Sequence, residues 1–227
     1  MSQLTYFGHA CFLVQINGVK LLFDPFITPN ELAKNIDVTK IEADYILVSH
    51  GHADHVADLV MLAKQTGAKV VCSWEIHDWL NKQGITNTHP MNIGGKWSFD
   101  FGTVKMTNAA HSSSLPDGSY GGVATGFLVQ TKEKNIYYSG DTGLTMDMQL
   151  IGKMANIDVC ILPVGDNFTM DYKDAELATE MLNCTKVIGV HFDTFGYIVI
   201  NHNDAINYFK QHNKTLILPE IGQTIDL

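Results

Sequence analysis

The chain has 227 residues, 45% hydrophobic and 17% charged, the balance of a globular fold with a sizeable core. Its formal net charge is −9, from 15 basic and 24 acidic residues, and every basic residue is lysine. That composition speaks against a nucleic-acid track, which needs a positive footprint, and it removes the bidentate arginine clamp for phosphate or carboxylate. No apolar run approaches the roughly 20 residues that span a bilayer. Met1 to Tyr6 shows neither the basic nor the apolar stretch of a secretory signal. A cytoplasmic protein without membrane contact is expected. The four cysteines form no C-x-x-C pair and read as buried, reduced thiols.

Taken in order, Leu4–Phe7, Cys11–Ile16 and Val19–Phe23 read as short strands, with Asn17-Gly18 as the hairpin turn between the last two. Residues 27 to 44 form a surface excursion before the strand Tyr45–Val48. Apolar residues from Val56 to Ala63 recur at helical spacing up to the stop at Gly67. Lys69–Cys72 reads as a strand, Trp74–Gln83 as a helix, Trp97–Phe101 and Thr103–Thr107 as strands, and the Ser- and Gly-rich run from Ser112 as a loop. Val123–Thr131 and Asn135–Ser139 pair as strands. Helices Leu144–Met154, Asp174–Leu182 and Asp204–Gln211 then alternate with strands Val159–Val164, Val187–Val190 and Leu216–Leu218. The pattern predicts one α/β domain over residues 1–227, of packed sheets with helices outside.

The most informative stretch is His50-Gly51-His52-Ala53-Asp54-His55, which places three imidazoles and a carboxylate directly after an apolar strand. Such ligands suit zinc, manganese, iron or cobalt. Three further residues stand in the same position, just past an apolar strand: His111, Asp141 and His191. Loops at strand C-terminal ends are where α/β folds gather their sites. These residues are therefore expected to converge on a metal.

The order H-x-H-x-D-H, then His, then Gly-Asp-Thr, then His resembles the metallo-β-lactamase superfamily. Phe7-Gly8-His9-Ala10, Asp24-Pro25-Phe26, Gly140-Asp141-Thr142-Gly143, Gly165-Asp166-Asn167-Phe168-Thr169 and Thr194-Phe195 narrow the resemblance. They point to a metal-dependent hydrolase branch similar to the bacterial ascorbate-6-phosphate lactonase. The resemblance implies an αββα sandwich of two mixed β-sheets with helices on the outer faces and a dinuclear centre between the sheets. By that pattern His50, His52 and His111 hold one divalent cation, and Asp54, His55 and His191 hold the second. Asp141 bridges them. Zinc is the first expectation for the two ions, with manganese or iron as alternatives. Where the resembled family continues from its last histidine to Asn-Thr-Phe-Pro, this chain has Asp193-Thr194-Phe195-Gly196.

Such a site implies hydrolysis of an ester, lactone, amide or phosphoester bond of a small metabolite, with hydroxide held between the metals. Asp54, His9 and Asp141 are the candidate catalytic residues, His9 for contacting substrate or carrying a proton. Asp24, at its own strand end, is a candidate acceptor orienting a ligand imidazole. Asn167, Thr169 and Asp193 are candidates for facing the substrate. A phosphodiesterase or nuclease of the same superfamily is the alternative, and a di-iron redox protein a more distant one. The expected partner is a small molecule and not nucleic acid; exposed loop aromatics would suit a homo-oligomer.

Overall fold

Apolar runs without polar alternation need cover on both faces, and the first half of the chain supplies a succession of them. In the structure, a computed structural model describing residues 2–227, these runs become β1 (Gln3–Gly8), β2 (Cys11–Ile16), β3 (Val19–Phe23), β4 (Tyr45–Leu47), β5 (Lys69–Ser73) and β6 (Thr88–Met91). The second half contributes β7 (Lys96–Phe99), β8 (Gly102–Asn108), β9 (Thr125–Gln130), β10 (Asn135–Tyr138), β11 (Val159–Pro163), β12 (Lys186–Val190) and β13 (Thr215–Ile217). A last strand, β14 (Thr224–Asp226), returns to the first sheet.

Each sheet has seven strands, in the orders β14-β1-β2-β3-β4-β5-β6 and β13-β12-β11-β10-β9-β8-β7. Both follow one plan. In the first, β14 to β3 pair antiparallel and β3 to β6 parallel. In the second, β7 to β10 pair antiparallel and β10 to β13 parallel.

Side chains along a strand alternate between faces, and here the alternation sorts the first sheet between two cores. Phe12, Val14, Leu21, Phe23, Leu47 and Val71 join the core between the sheets, whereas Cys11, Leu22, Ile46, Val70 and Cys72 face outward. The inner core is stitched by rings of both sheets: Phe23 meets Phe127 at 6.4 Å, and Tyr138 meets Phe12 at 5.0 Å. The outward face is covered by α2 (Leu59–Thr66) and α3 (Trp74–Lys82), which bury Leu59, Leu62, Ile76 and Leu80. On the second sheet, α5 (Tyr172–Leu182) packs on β11 and α6 (His202–Gln211) on β13. The result is the αββα sandwich of two mixed sheets.

Several boundaries differ from the expectation. The helix expected from Val56 to Gly67 is broken into α1 (Ala53–Val56) and α2. Between them buried Asp58 turns its carboxylate to Ile27 N, Thr28 N and Thr28 Oγ1 at 2.5–2.8 Å, anchoring the excursion after β3. The helix expected over Leu144–Met154 is only α4 (Asp147–Ile151). Strands β6 and β14 carry little apolar signal: β6 is an edge strand holding Pro90, and β14 is defined by its pairing with β1.

Candidate metal centre

The site lies at the seam between the sheets, at the C-terminal ends of their strands. His50 follows β4, Asp141 follows β10, His191 follows β12 directly, and His111 stands past β8. Gly140 lets β10 deliver Asp141 so close to the opposite sheet. Its φ is +62°, and a Cβ there would fall 2.3 Å from Thr125 O and 2.9 Å from the Ser49 side chain. The sheets are tied at this seam by Thr125 N and Oγ1, both donating to Ser49 O, and by His191 N donating to His9 O at 2.8 Å. His9, Asp24 and His191 all sit at positive φ (+55°, +40° and +55°), backbone strain of the kind that concentrates at functional sites.

All seven side chains singled out as metal-type ligands come together. Ring nitrogens of His50, His52 and His111 lie within 4.8 Å of one another, as do ligand atoms of Asp54, His55, His191 and His9. Asp141 Oδ2 stands between these groups, 2.9 Å from His191 Nε2, 3.3 Å from His55 Nε2 and 3.8 Å from His111 Nε2. Burial and the neighbouring imidazoles lower the pKa of His50 well below its ordinary value. Burial first of all also lowers His52 and His111. Neutral imidazole is the form that ligates a metal.

Burial also opposes a proton on His55, but the carboxylates of Asp141 and Asp24 outweigh it and raise that pKa well above the ordinary range. Asp54 and Asp141 are held the other way. Burial would raise both carboxyls, yet the surrounding imidazoles depress them below ordinary carboxylates.

Two buried atoms at this point, Asp141 Oδ1 and His55 Nε2, lack any hydrogen-bond partner among the described residues. An unsatisfied buried polar atom costs about 1–3 kcal/mol, so orphans gathered in one place call for a missing partner. Imidazole nitrogens and carboxylate oxygens fit a divalent cation in that role.

Asp24 stands where an orienting carboxylate is expected. It accepts hydrogen bonds from Ser49 N (2.7 Å), Ser49 Oγ (2.5 Å) and Tyr138 Oη (2.6 Å), and lies 2.9 Å from His55 Nδ1. Ser49 Oγ is also 3.0 Å from His50 Nδ1, and Ser112 Oγ is 3.3 Å from His52 Nε2. Ser49, Tyr138 and Ser112 were not foreseen as part of the site. Ser49 adjoins the histidine motif, but Tyr138 reaches Asp24 from the opposite sheet, which no local pattern discloses.

A cleft of about 790 Å³ opens over the centre. Its floor includes Asp54, His111, Asp141 and His191, and its outer side Phe168, Phe195 and Tyr197. His9 is not in its lining and is only 1% exposed, so it does not stand where a substrate contact was expected. It bridges instead: Nε2 lies 3.1 Å from Asp54 Oδ2 and Nδ1 3.0 Å from Thr194 Oγ1. Burial, helped by His191, lowers the His9 pKa to about 4. The Asp54 carboxylate only accepts, so a neutral His9 carries its N–H on Nε2 and is left to accept a hydrogen bond from the Thr194 hydroxyl at Nδ1.

Asn167, Thr169 and Asp193 do not line the cleft either. The loop after β11 presents Phe168 between its two polar neighbours, and the Asp193 carboxylate turns to Ile200 N and His202 Nε2. The four cysteines are buried and unpaired. Among the described residues no helix is long and apolar enough to cross a membrane.

The model of the beta-lactamase superfamily domain matches residues 20–192. The chain belongs to the metallo-β-lactamase superfamily. It is 49% identical over 225 residues to a metal-dependent hydrolase of Flavobacterium johnsoniae, covering 99% of this chain and 100% of that protein. A metal-dependent hydrolase of Methylacidiphilum infernorum is 46% identical over 225 residues, again 99% and 100% of the two chains. Among solved structures, a metallo hydrolase of the archaeon Ignicoccus hospitalis superposes with a TM-score of 0.89 at 33% identity, over 99% and 97% of the chains. An isothiocyanate hydrolase from Delia radicum gut bacteria shares the metallo-β-lactamase fold at a TM-score of 0.76 and 18% identity, over 99% and 98%.

Proposed function

We propose that this chain is a metal-dependent hydrolase that cleaves an ester, lactone, amide or phosphoester bond of a small metabolite. Two divalent cations would serve it, zinc first, with manganese or iron as alternatives. His50, His52 and His111 would hold one, and Asp54, His55 and His191 the other, with Asp141 between. The observation that carries this reading is His55, claimed by two carboxylates at once. Asp24 Oδ2 lies 2.9 Å from Nδ1, and Asp141 Oδ2 lies 3.3 Å from Nε2 without forming a hydrogen bond. Without a metal the ring must carry a second proton to meet both carboxylates, the direction in which its pKa is driven; a cation at Nε2 takes the place of that proton and leaves Nδ1–H for Asp24.

Bound there, the cations would supply Lewis acidity toward the scissile carbonyl or phosphoryl oxygen and lower the pKa of solvent water. The chain's own residues would do the rest. Asp24 fixes the His55 ring and, through Ser49, stands behind His50, so both imidazoles are oriented before any ligand arrives. His9, buffered by Thr194, fixes one oxygen of Asp54, whose side chain is 27% exposed and lines the cleft. The other Asp54 oxygen would be left for the cation that this carboxylate helps to hold.

The test is hydrolysis of ester, lactone, amide and phosphodiester panels by metal-loaded protein. Activity on at least one panel, lost in Asp141→Ala, is expected. Inactivity on all four, with the metals bound, would refute hydrolysis.

A further inference from the structure

The outer side of the cleft differs in character from its floor. Phe168, Phe195 and Tyr197 are 49%, 38% and 78% exposed, large aromatic surface that packing alone leaves unused. Phe168 comes from the loop after β11 and Tyr197 from the loop after β12, yet their rings meet edge to face at 6.1 Å. Two separate loops therefore build one aromatic wall beside the site.

The sequence departure after His191 explains how that wall is held. Asp193 N donates to Ile198 O (2.8 Å), its Oδ1 accepts from Ile200 N (3.1 Å), and its Oδ2 lies 2.6 Å from His202 Nε2. Its carboxylate is thus engaged by Ile200 and by His202 at the start of α6, bracing the segment that carries Phe195 and Tyr197, and it does not line the cleft. The cleft lining also contains no lysine, and the chain has no arginine.

We propose that, on the hydrolase reading above, the substrate is an uncharged ester, lactone or amide whose apolar or aromatic group lies against Phe168 and Tyr197. An anionic group in that position would lie against apolar ring surface with no side-chain cation to pair it. A phosphorylated substrate is disfavoured for this reason. A cationic group would suit the rings but find no carboxylate of its own, since Asp54 and Asp141, the acidic side chains of the lining, would serve the metals.

The experiment uses cyclopentanones, which mimic a lactone and cannot be hydrolysed, carrying a phenyl, a sulfonatomethyl or a trimethylammoniomethyl group. Binding to metal-loaded wild type and to a Phe168→Ala/Tyr197→Ala double variant is measured by calorimetry, beside hydrolysis of the three matching lactones. The phenyl ketone is expected to bind at least about tenfold more tightly than either charged ketone. The double substitution should remove that margin without moving the melting temperature. A charged ketone that binds as tightly as the phenyl one, or a margin that survives the double substitution, overturns the proposal. If the margin holds and depends on the two rings while no lactone is hydrolysed, the recognition of apolar groups stands and hydrolysis of lactones falls.

Discussion

Two aspartates occupy matching places in the two sheets. Asp24 follows β3 and Asp141 follows β10, each on the strand that joins the antiparallel part of its sheet to the parallel part. Both are buried, at 0% and 2% exposure, and both approach His55, from opposite ring nitrogens. Their surroundings are opposite. Asp24 is met by Ser49 N, Ser49 Oγ, Tyr138 Oη and His55 Nδ1. Asp141 faces three imidazoles at 2.9–3.8 Å, and its Oδ1 has no hydrogen-bond partner. The same strand-end position thus yields a structural carboxylate where protein donors surround it, and a ligand-type carboxylate where they are withheld.

The largest expected effect breaks the satisfied member. Asp24→Ala strands several buried donors and should cost on the order of 4 kcal/mol in urea unfolding of metal-free protein. Asp141→Asn keeps the volume and has no hydrogen bond at Oδ1 to lose, giving up the charge that faces His191 and His55, so it should cost less than Asp24→Ala while sharply reducing metal binding. Equal losses of stability would mean that the two carboxylates are alike.

A second prediction uses pH. His9 is held near pKa 4 in the fold against an ordinary 6.5, so the unfolded chain binds more protons between these values. Stability is then full above pH 6.5 and falls as pH drops toward 4. At pH 5 the loss from His9 alone is about 2 kcal/mol. His50, His52 and His111 are shifted in the same direction, while His55 is shifted in the other. Thermal melting of metal-free protein at pH 8 and pH 5 checks this, and a higher melting temperature at pH 5 contradicts it.

A smaller effect concerns how Asp54 is fixed. His9→Gln should lower kcat/KM by about 10–100-fold, the usual range for a partner of a ligating group. Thr194→Val, which removes only the far hydrogen bond, should lower it less than about tenfold. The reverse ranking would place the Thr194 bond ahead of His9 itself.

Much of the site was legible in the sequence because its residues share one position, the end of an apolar strand. His50, His111, Asp141 and His191 needed only strand placement, and Asp24 only its own strand end. The buried strands were legible for the same reason, since a run such as Val159–Val164 admits few other readings. What escaped depends on contacts between distant segments. The role of His9 is set by Thr194 and Asp54, 185 and 45 residues away. Asn167, Thr169 and Asp193 are polar residues in loops near the site, yet loop geometry keeps them out of the cleft lining and brings Tyr197 into it. Strand β14 has sequence too polar to announce itself and exists through its register with β1.

The most direct measurement is metal content per chain by elemental analysis, for wild type, His111→Ala and Asp141→Ala. About two divalent ions in wild type, with about one retained in His111→Ala and fewer than one in Asp141→Ala, is the predicted result. Full occupancy in both variants would contradict the assignment of these residues as ligands, and with it the account of why Asp141 was left unsatisfied.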